Sequence, residues 1–250
     1  AVRYNSAIRE LASQVLPGGT LPLSLSTRGV GEVTIVRCSG RIVAGETEVL
    51  RKHVSELLRD RIDIVLHLGD VVFIDSSGLG TLVRLLTSTR TARGDLKLCH
   101  VPEDIHKVLK MTNLITLFDT HASEEEAVLA FYRRQTHSAR APQTGLTVLC
   151  IDQSADVLAY LRELLGRAGY HILTSSNLRD GLILLRATRP SLTILGPNLK
   201  ASPVTEQAFH AACAASQVLE LGEEFSTLEP GQAASDLLEK IRALAASKAH

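Results

Sequence analysis

From Val33 onward, short β-branched runs alternate with stretches in which apolar residues recur at helical spacing. Val33, Ile35, Val36 and Cys38 predict a strand, and Arg41-Ile42-Val43-Ala44 a second one after a Ser39-Gly40 turn. Leu50, Val54, Leu57 and Leu58 share one face of a helix over residues 46–58. Residues 62–68 form the next apolar run. Gly69-Asp70 predicts a bend before Val71-Val72-Phe73-Ile74. Leu79, Leu82, Val83 and Leu86 then stripe a helix that opens at Asp75-Ser76-Ser77-Gly78. Leu96-Lys97-Leu98-Cys99 alternates as a strand, and Ile105, Val108 and Leu109 mark a third helix. Residues 115–118 lead into a short final strand. Ser123 with Glu126 is a capping box that starts a helix running to about residue 133.

The flanking segments read differently. Residues 1–28, with a short helix over 8–16 and then Pro17-Gly18-Gly19, are expected to be an accessory arm. Residues 134–145 have little apolar periodicity and are the expected linker. A second series follows in 146–250: a strand at 147–151 ending at Asp152, a helix with Val157, Leu161, Leu164 and Leu165 closed by Gly169, and a strand at 172–174. Next come a helix on Leu178, Leu182 and Leu185, a strand at 191–195, a weak strand at 218–221 and a last helix on Leu237, Ile241 and Leu244. Strands alternating with helices predict a doubly wound parallel sheet. The fold class is therefore α/β in both halves.

Composition narrows the partners. Lys+Arg 27 balances Asp+Glu 27, and the basic residues are scattered, so no nucleic-acid or membrane partner is expected. Cys38, Cys99, Cys150 and Cys213 stand far apart without metal-ligand spacing, which predicts reduced core thiols and a cytoplasmic setting. No apolar run approaches the ~20 residues that span a bilayer. His53, His67, His100 and His106 form no ligand pair, so no metal and no cofactor are expected.

The chemistry concentrates at Asp75-Ser76-Ser77-Gly78. A helix's first turn carries unpaired N–H groups and partial positive charge, so a phosphate on Ser76 or Ser77 would be well tolerated there. The plainer reading makes Asp75 an N-cap and the serines mere first-turn residues. Enzymatic alternatives fare worse. Gly78-Leu79-Gly80 begins a dinucleotide fingerprint, yet Val83 stands where the third glycine belongs. Ile74 and Leu79 stand where a nucleophile elbow needs glycines. No catalytic residue is expected, and the chain is read as a non-enzyme.

Ser39-Gly40-Arg41 after a strand, then a helix, then Phe73-Ile74-Asp75-Ser76-Ser77-Gly78-Leu79-Gly80 resembles the anti-sigma factor antagonist family, whose fold is the STAS domain. The resemblance places that domain at residues 29–133, with a mixed sheet and helices. It implies phosphorylation of Ser76 by an anti-sigma serine kinase, with Ser77 the alternative acceptor and Asp75, Gly78 and Leu79 as neighbours of the switch. It further implies a partner surface made by Ser39, Gly40, Arg41, Ser76, Ser77 and Leu79, and a serine phosphatase that resets the switch. A dianion added beside Asp75 would expel a partner fitted to a neutral hydroxyl.

Residues 146–250 resemble a response-regulator receiver with a degenerate site, a flavodoxin-like pseudo-receiver. Asp152 keeps one strand-end acid, while Gln153, Gly196, Gly222 and Glu229 stand at the second acid, the phospho-acceptor, the hydroxyl and the lysine positions. Glycine accepts no phosphoryl group, and Glu229 would repel phosphate where lysine attracts it.

The expected function is partner switching that regulates bacterial transcription. The chain binds the kinase when Ser76 is free and is released on phosphorylation; homodimerisation is a further expectation. The alternative is a non-switching STAS scaffold in a larger signalling assembly.

Overall fold

The computed structural model describes residues 21–59, 62–137, 146–197, 199–213, 216–222, 225 and 230–247. The chain opens with β1 (Ser24–Val30), which runs antiparallel to β2 (Val33–Ile42). The expected arm over 1–28 therefore ends earlier, because its last residues already form a strand. Leu25 is half-buried and Val30 fully buried, while most of β1 faces water. An edge strand of this kind needs little apolar sequence, which is why it escapes a hydrophobic reading. The expected helix over 8–16 lies outside the described residues.

Two more expectations change. The Ser39-Gly40 turn does not exist: β2 is one continuous strand, irregular between Arg37 and Ser39 and again between Gly40 and Arg41. Likewise β3 (Asp63–Ile74) runs straight through Gly69-Asp70. The two strands are parallel partners and deviate together, with Ser39 opposite Asp70 and Arg37 Nε donating to the Asp70 carboxylate at 2.7 Å. Glycine next to a polar residue here marks a bulge, because the neighbouring strand absorbs the irregularity.

Helix α1 (Thr47–Leu57) links β2 to β3, and α2 (Ser76–Thr91) follows β3. Then come β4 (Asp95–Cys99), α3 (Glu103–Met111), a 3-10 turn (Leu114–Leu117), β5 (Asp119–His121) and α4 (Glu124–His137). The sheet order is β1-β2-β3-β4-β5, with every neighbour pair after the first parallel. Leu50, Val54, Leu82, Leu85, Ile105 and Leu109 bury one face of this sheet under α1, α2 and α3. The opposite face, with Ile35 and Val65, is covered by Val128 and Phe131 of α4. The Ser123 half of the capping box forms, with Glu126 N–H donating to Ser123 Oγ at 3.1 Å, while the Glu126 carboxylate reaches one residue further and accepts from Ala122 N–H at 3.0 Å. Because α4 continues to His137, the first residues of the expected 134–145 linker are helical; the rest lie outside the described residues.

The second half contains β6 (Thr147–Ile151), α5 (Ala155–Arg167), β7 (His171–Ser175) and α6 (Leu178–Thr188). It continues through β8 (Leu192–Leu195), α7 (Pro203–Cys213), β9 (Gln217–Glu220) and α8 (Pro230–Ser247). The strands are all parallel in the order β7-β6-β8-β9. Leu161 and Leu165 of α5 and Leu237 and Ile241 of α8 bury one face, while α6 and α7 cover the other. This doubly wound sheet fits a flavodoxin-like domain. It has four strands among the described residues, and Pro230 opens α8. Glu229, expected at the lysine position of a receiver, lies outside the described residues. Among the described residues no helix is long and apolar enough to cross a membrane.

Candidate functional site

The β3–α2 junction is organised by Asp75, whose extended backbone ends the strand and whose carboxylate caps the helix. One carboxylate oxygen accepts from Gly78 N–H at 2.8 Å and the other from Ala44 N–H at 2.9 Å. The Asp75 N–H in turn donates to the Ile42 carbonyl at 3.3 Å. One side chain thus ties the end of β3, the first turn of α2 and the loop after β2 into a single corner. The N–H groups of Ala44, Gly78 and Ser77, with the nearby Arg41 guanidinium, hold the Asp75 carboxyl below its ordinary range.

Ser76 and Ser77 occupy the first positions of α2, and both are exposed. The Asp75 cap draws on the Gly78 and Ser77 N–H groups, and the helix's positive end lies beside the two hydroxyls. Thr81 Oγ1 donates to the Ser77 carbonyl at 2.9 Å, fastening the first turn from inside. Gly78 is buried against β2, and Leu79 belongs to the core with 7% of its surface exposed.

The expected partner surface divides accordingly. Arg41, Ser76 and Ser77 stand together on the outside of the corner, with Ser39 half-buried between Ser24 and Asp70 in the sheet. Two expected members are corrected. Leu79 points into the core, and Gly40 is buried with φ +97°, where a Cβ would lie 2.3 Å from the Pro22 carbonyl oxygen. Gly40 therefore lets the chain before β1 pass close by, and both residues serve the fold of the corner.

The structure adds two residues that the sequence reading left as strand core. Val72 is 59% exposed and Phe73 48% exposed. Strand β3 pairs with β4 only over residues 63–67, so residues 71–74 overhang the sheet on that side. The Arg41 guanidinium lies 5.1 Å from the centroid of the Phe73 ring, a cation–π distance. An apolar run longer than its neighbouring strand was the available signal.

In the second half, Asp152 is buried at the end of β6, and its Oδ1 accepts from Ser154 N–H at 2.7 Å. Gly196 follows β8 directly alongside: a Cβ there would lie 1.7 Å from Asp152 Oδ2. The space a side chain at 196 would need is thus filled by the neighbouring carboxylate. Gln153 is exposed beside Asp152, and Gly222 is exposed just after β9.

Comparison with known proteins places the first half. The family model of the STAS domain matches residues 24–127. An anti-sigma F factor antagonist of Paenibacillus polymyxa is 30% identical over 98 residues, 38% of this chain and 84% of that protein. The chain belongs to the STAS-domain family of anti-sigma factor antagonists. An anti-sigma-B factor antagonist of Bacillus subtilis (strain 168) is also 30% identical over 93 residues, covering 37% of this chain and 85% of that protein. Among solved structures, an anti-sigma factor antagonist from Mycobacterium paratuberculosis matches 46% of this chain and 97% of its own at 19% identity and a TM-score of 0.41. The STAS match begins at β1, which agrees with the strand that replaces the end of the expected arm.

Proposed function

We propose that this STAS protein is a non-enzymatic, cytoplasmic anti-sigma factor antagonist that binds an anti-sigma serine kinase while Ser76 is free and leaves it when Ser76 is phosphorylated. The observation that carries the reading is the exposed Ser76 at the N-terminus of α2, beside a carboxylate whose position is fixed from two sides. A kinase can reach this hydroxyl without unfolding the corner. Phosphorylation adds about −1.5 to −2 charge and three acceptor oxygens. With Asp75 unable to swing away, a partner fitted to the neutral site meets two adjacent anions, and its apolar contacts with Val72 and Phe73 cannot offset the desolvation of that charge. ATP and magnesium belong to the kinase, and a serine phosphatase resets the switch.

The buried, bonded carboxylate at Asp152 and the glycine packed on it favour a second domain that acts through its surfaces rather than through phosphoryl chemistry. The test is peptide mass spectrometry on protein isolated from its native cells under phosphatase inhibition, joined to affinity capture of bound kinase. A phosphate on the Ser76 peptide, lost in Ser76→Ala, with kinase retained by Ser76→Ala and lost by Ser76→Asp, supports the switch. No phosphate across growth and stress conditions, with large homo-assemblies in place of a one-to-one kinase complex, replaces it with the STAS scaffold reading.

A further inference from the structure

The two halves meet on a face remote from Ser76, and the meeting has the character of a core. Val30, Val33, Phe131 and Tyr132 of the STAS domain belong to the same buried cluster as Leu182, Ile183, Leu184 and Leu185 of α6. The β1–β2 turn is built for this approach. Gly31 has φ +59°, and a Cβ on it would lie 2.3 Å from Tyr132 Oη and 2.8 Å from Leu184 Cδ2. Tyr132 Oη accepts from Glu32 N–H at 3.2 Å, fixing α4 against the same turn.

Charge sets the register of the dock. Arg28, on β1, donates from Nη2 to Glu124 Oε2 of α4 at 2.6 Å, and its Nη1 pairs with Asp180 Oδ1 of α6. Both carboxylates are buried, Glu124 with 8% and Asp180 with 4% of its surface exposed. Asp180 is itself positioned by Asn177, whose side chain accepts from Asp180 N–H and donates to Asp180 Oδ2. Arg179 Nη2 and His67 Nε2 stand 3.8 Å and 3.9 Å from the Glu124 carboxylate. At the rim, Arg186 of α6 donates to Glu125 of α4 at 2.7 Å.

We propose that the second domain is an intramolecular partner of the STAS domain, keyed onto β1 and α4 in one arrangement by the Arg28 fork. An apolar contact alone permits sliding. A guanidinium shared by one carboxylate from each half permits one arrangement, because any displacement leaves a buried charge unpaired. The second domain is thereby held away from the Ser76 corner, which stays open for its partner in the docked state.

Hydrogen exchange read by mass spectrometry on the full chain tests this. Arg28→Ala is expected to speed exchange in residues 24–33 and 178–188 and to leave residues 76–91 unchanged. A second pair avoids the buried charges. Arg186→Glu places like charges at the rim and is expected to speed exchange in 178–188 by about two- to fivefold, and adding Glu125→Arg restores the wild-type rate. Unchanged exchange at the dock in both single variants overturns the proposal. So does equal acceleration of 76–91 and 178–188 in Arg28→Ala together with no recovery in the double variant, which would make these residues ordinary supports of the fold.

Discussion

Gly78, the third residue of α2, lies directly against the last residue of β2: a Cβ on it would meet the Ile42 carbonyl oxygen at 2.2 Å. That oxygen already accepts the Asp75 N–H, so neither backbone can retreat without breaking the corner. Gly78→Ala is therefore expected to destabilise the STAS domain by about 1–3 kcal/mol, the usual range for forced overpacking. Urea unfolding monitored by circular dichroism checks this, and an unchanged midpoint would refute the close approach.

The Asp75 carboxyl titrates below its ordinary range because the ionised form accepts from Ala44, Gly78 and Ser77 N–H groups. A group with a depressed native pKa stabilises the fold above its unfolded pKa and loses that contribution as pH falls through the native value. The gap in urea midpoint between wild type and Asp75→Asn is expected to be full at pH 7 and to shrink below pH ~4, the ordinary aspartate range. A gap independent of pH between 7 and 3 would show that the cap acts without its charge.

Phe73 offers a half-exposed ring beside Arg41 at the β3–α2 corner. If the proposed kinase docks on this corner, Phe73→Ala is expected to weaken its binding by about tenfold, as loss of an aromatic anchor at an interface does. Calorimetric titration measures it. Full affinity with unchanged thermal stability would place the partner surface elsewhere.

Gly196→Asp, which would place a carboxylate where the receiver resemblance expects a phospho-acceptor, is expected to destabilise the second domain without creating a phosphorylation site. The new Cβ would fall on the Asp152 carboxylate, which is buried and held by Ser154 N–H. Loss of about 1–3 kcal/mol and no labelling by acetyl phosphate are expected. A stable variant that becomes phosphorylated would mean that the Asp152 carboxylate can give way to a side chain at 196.

The sequence alone determined what depends on local order. Helix stripes such as Leu50 with Val54 and Leu82 with Leu86, the Ser123–Glu126 capping box and the strand–Asp–Ser–Ser–Gly–helix junction at Ser76 need only neighbours in the chain, so their pattern was legible. The tertiary structure decided what depends on distant partners. Edge strand β1 exists because β2 supplies its hydrogen bonds, and the glycines at 40 and 69 lie within strands because β2 and β3 bend together. Leu79 turns inward and Phe73 outward because β4 stops pairing at His67 and the core lies on the other side of α2. The charge triad of Arg28, Glu124 and Asp180 joins residues separated by most of the chain. No spacing encodes such a set, since only the packing of the two halves brings its members within bonding distance.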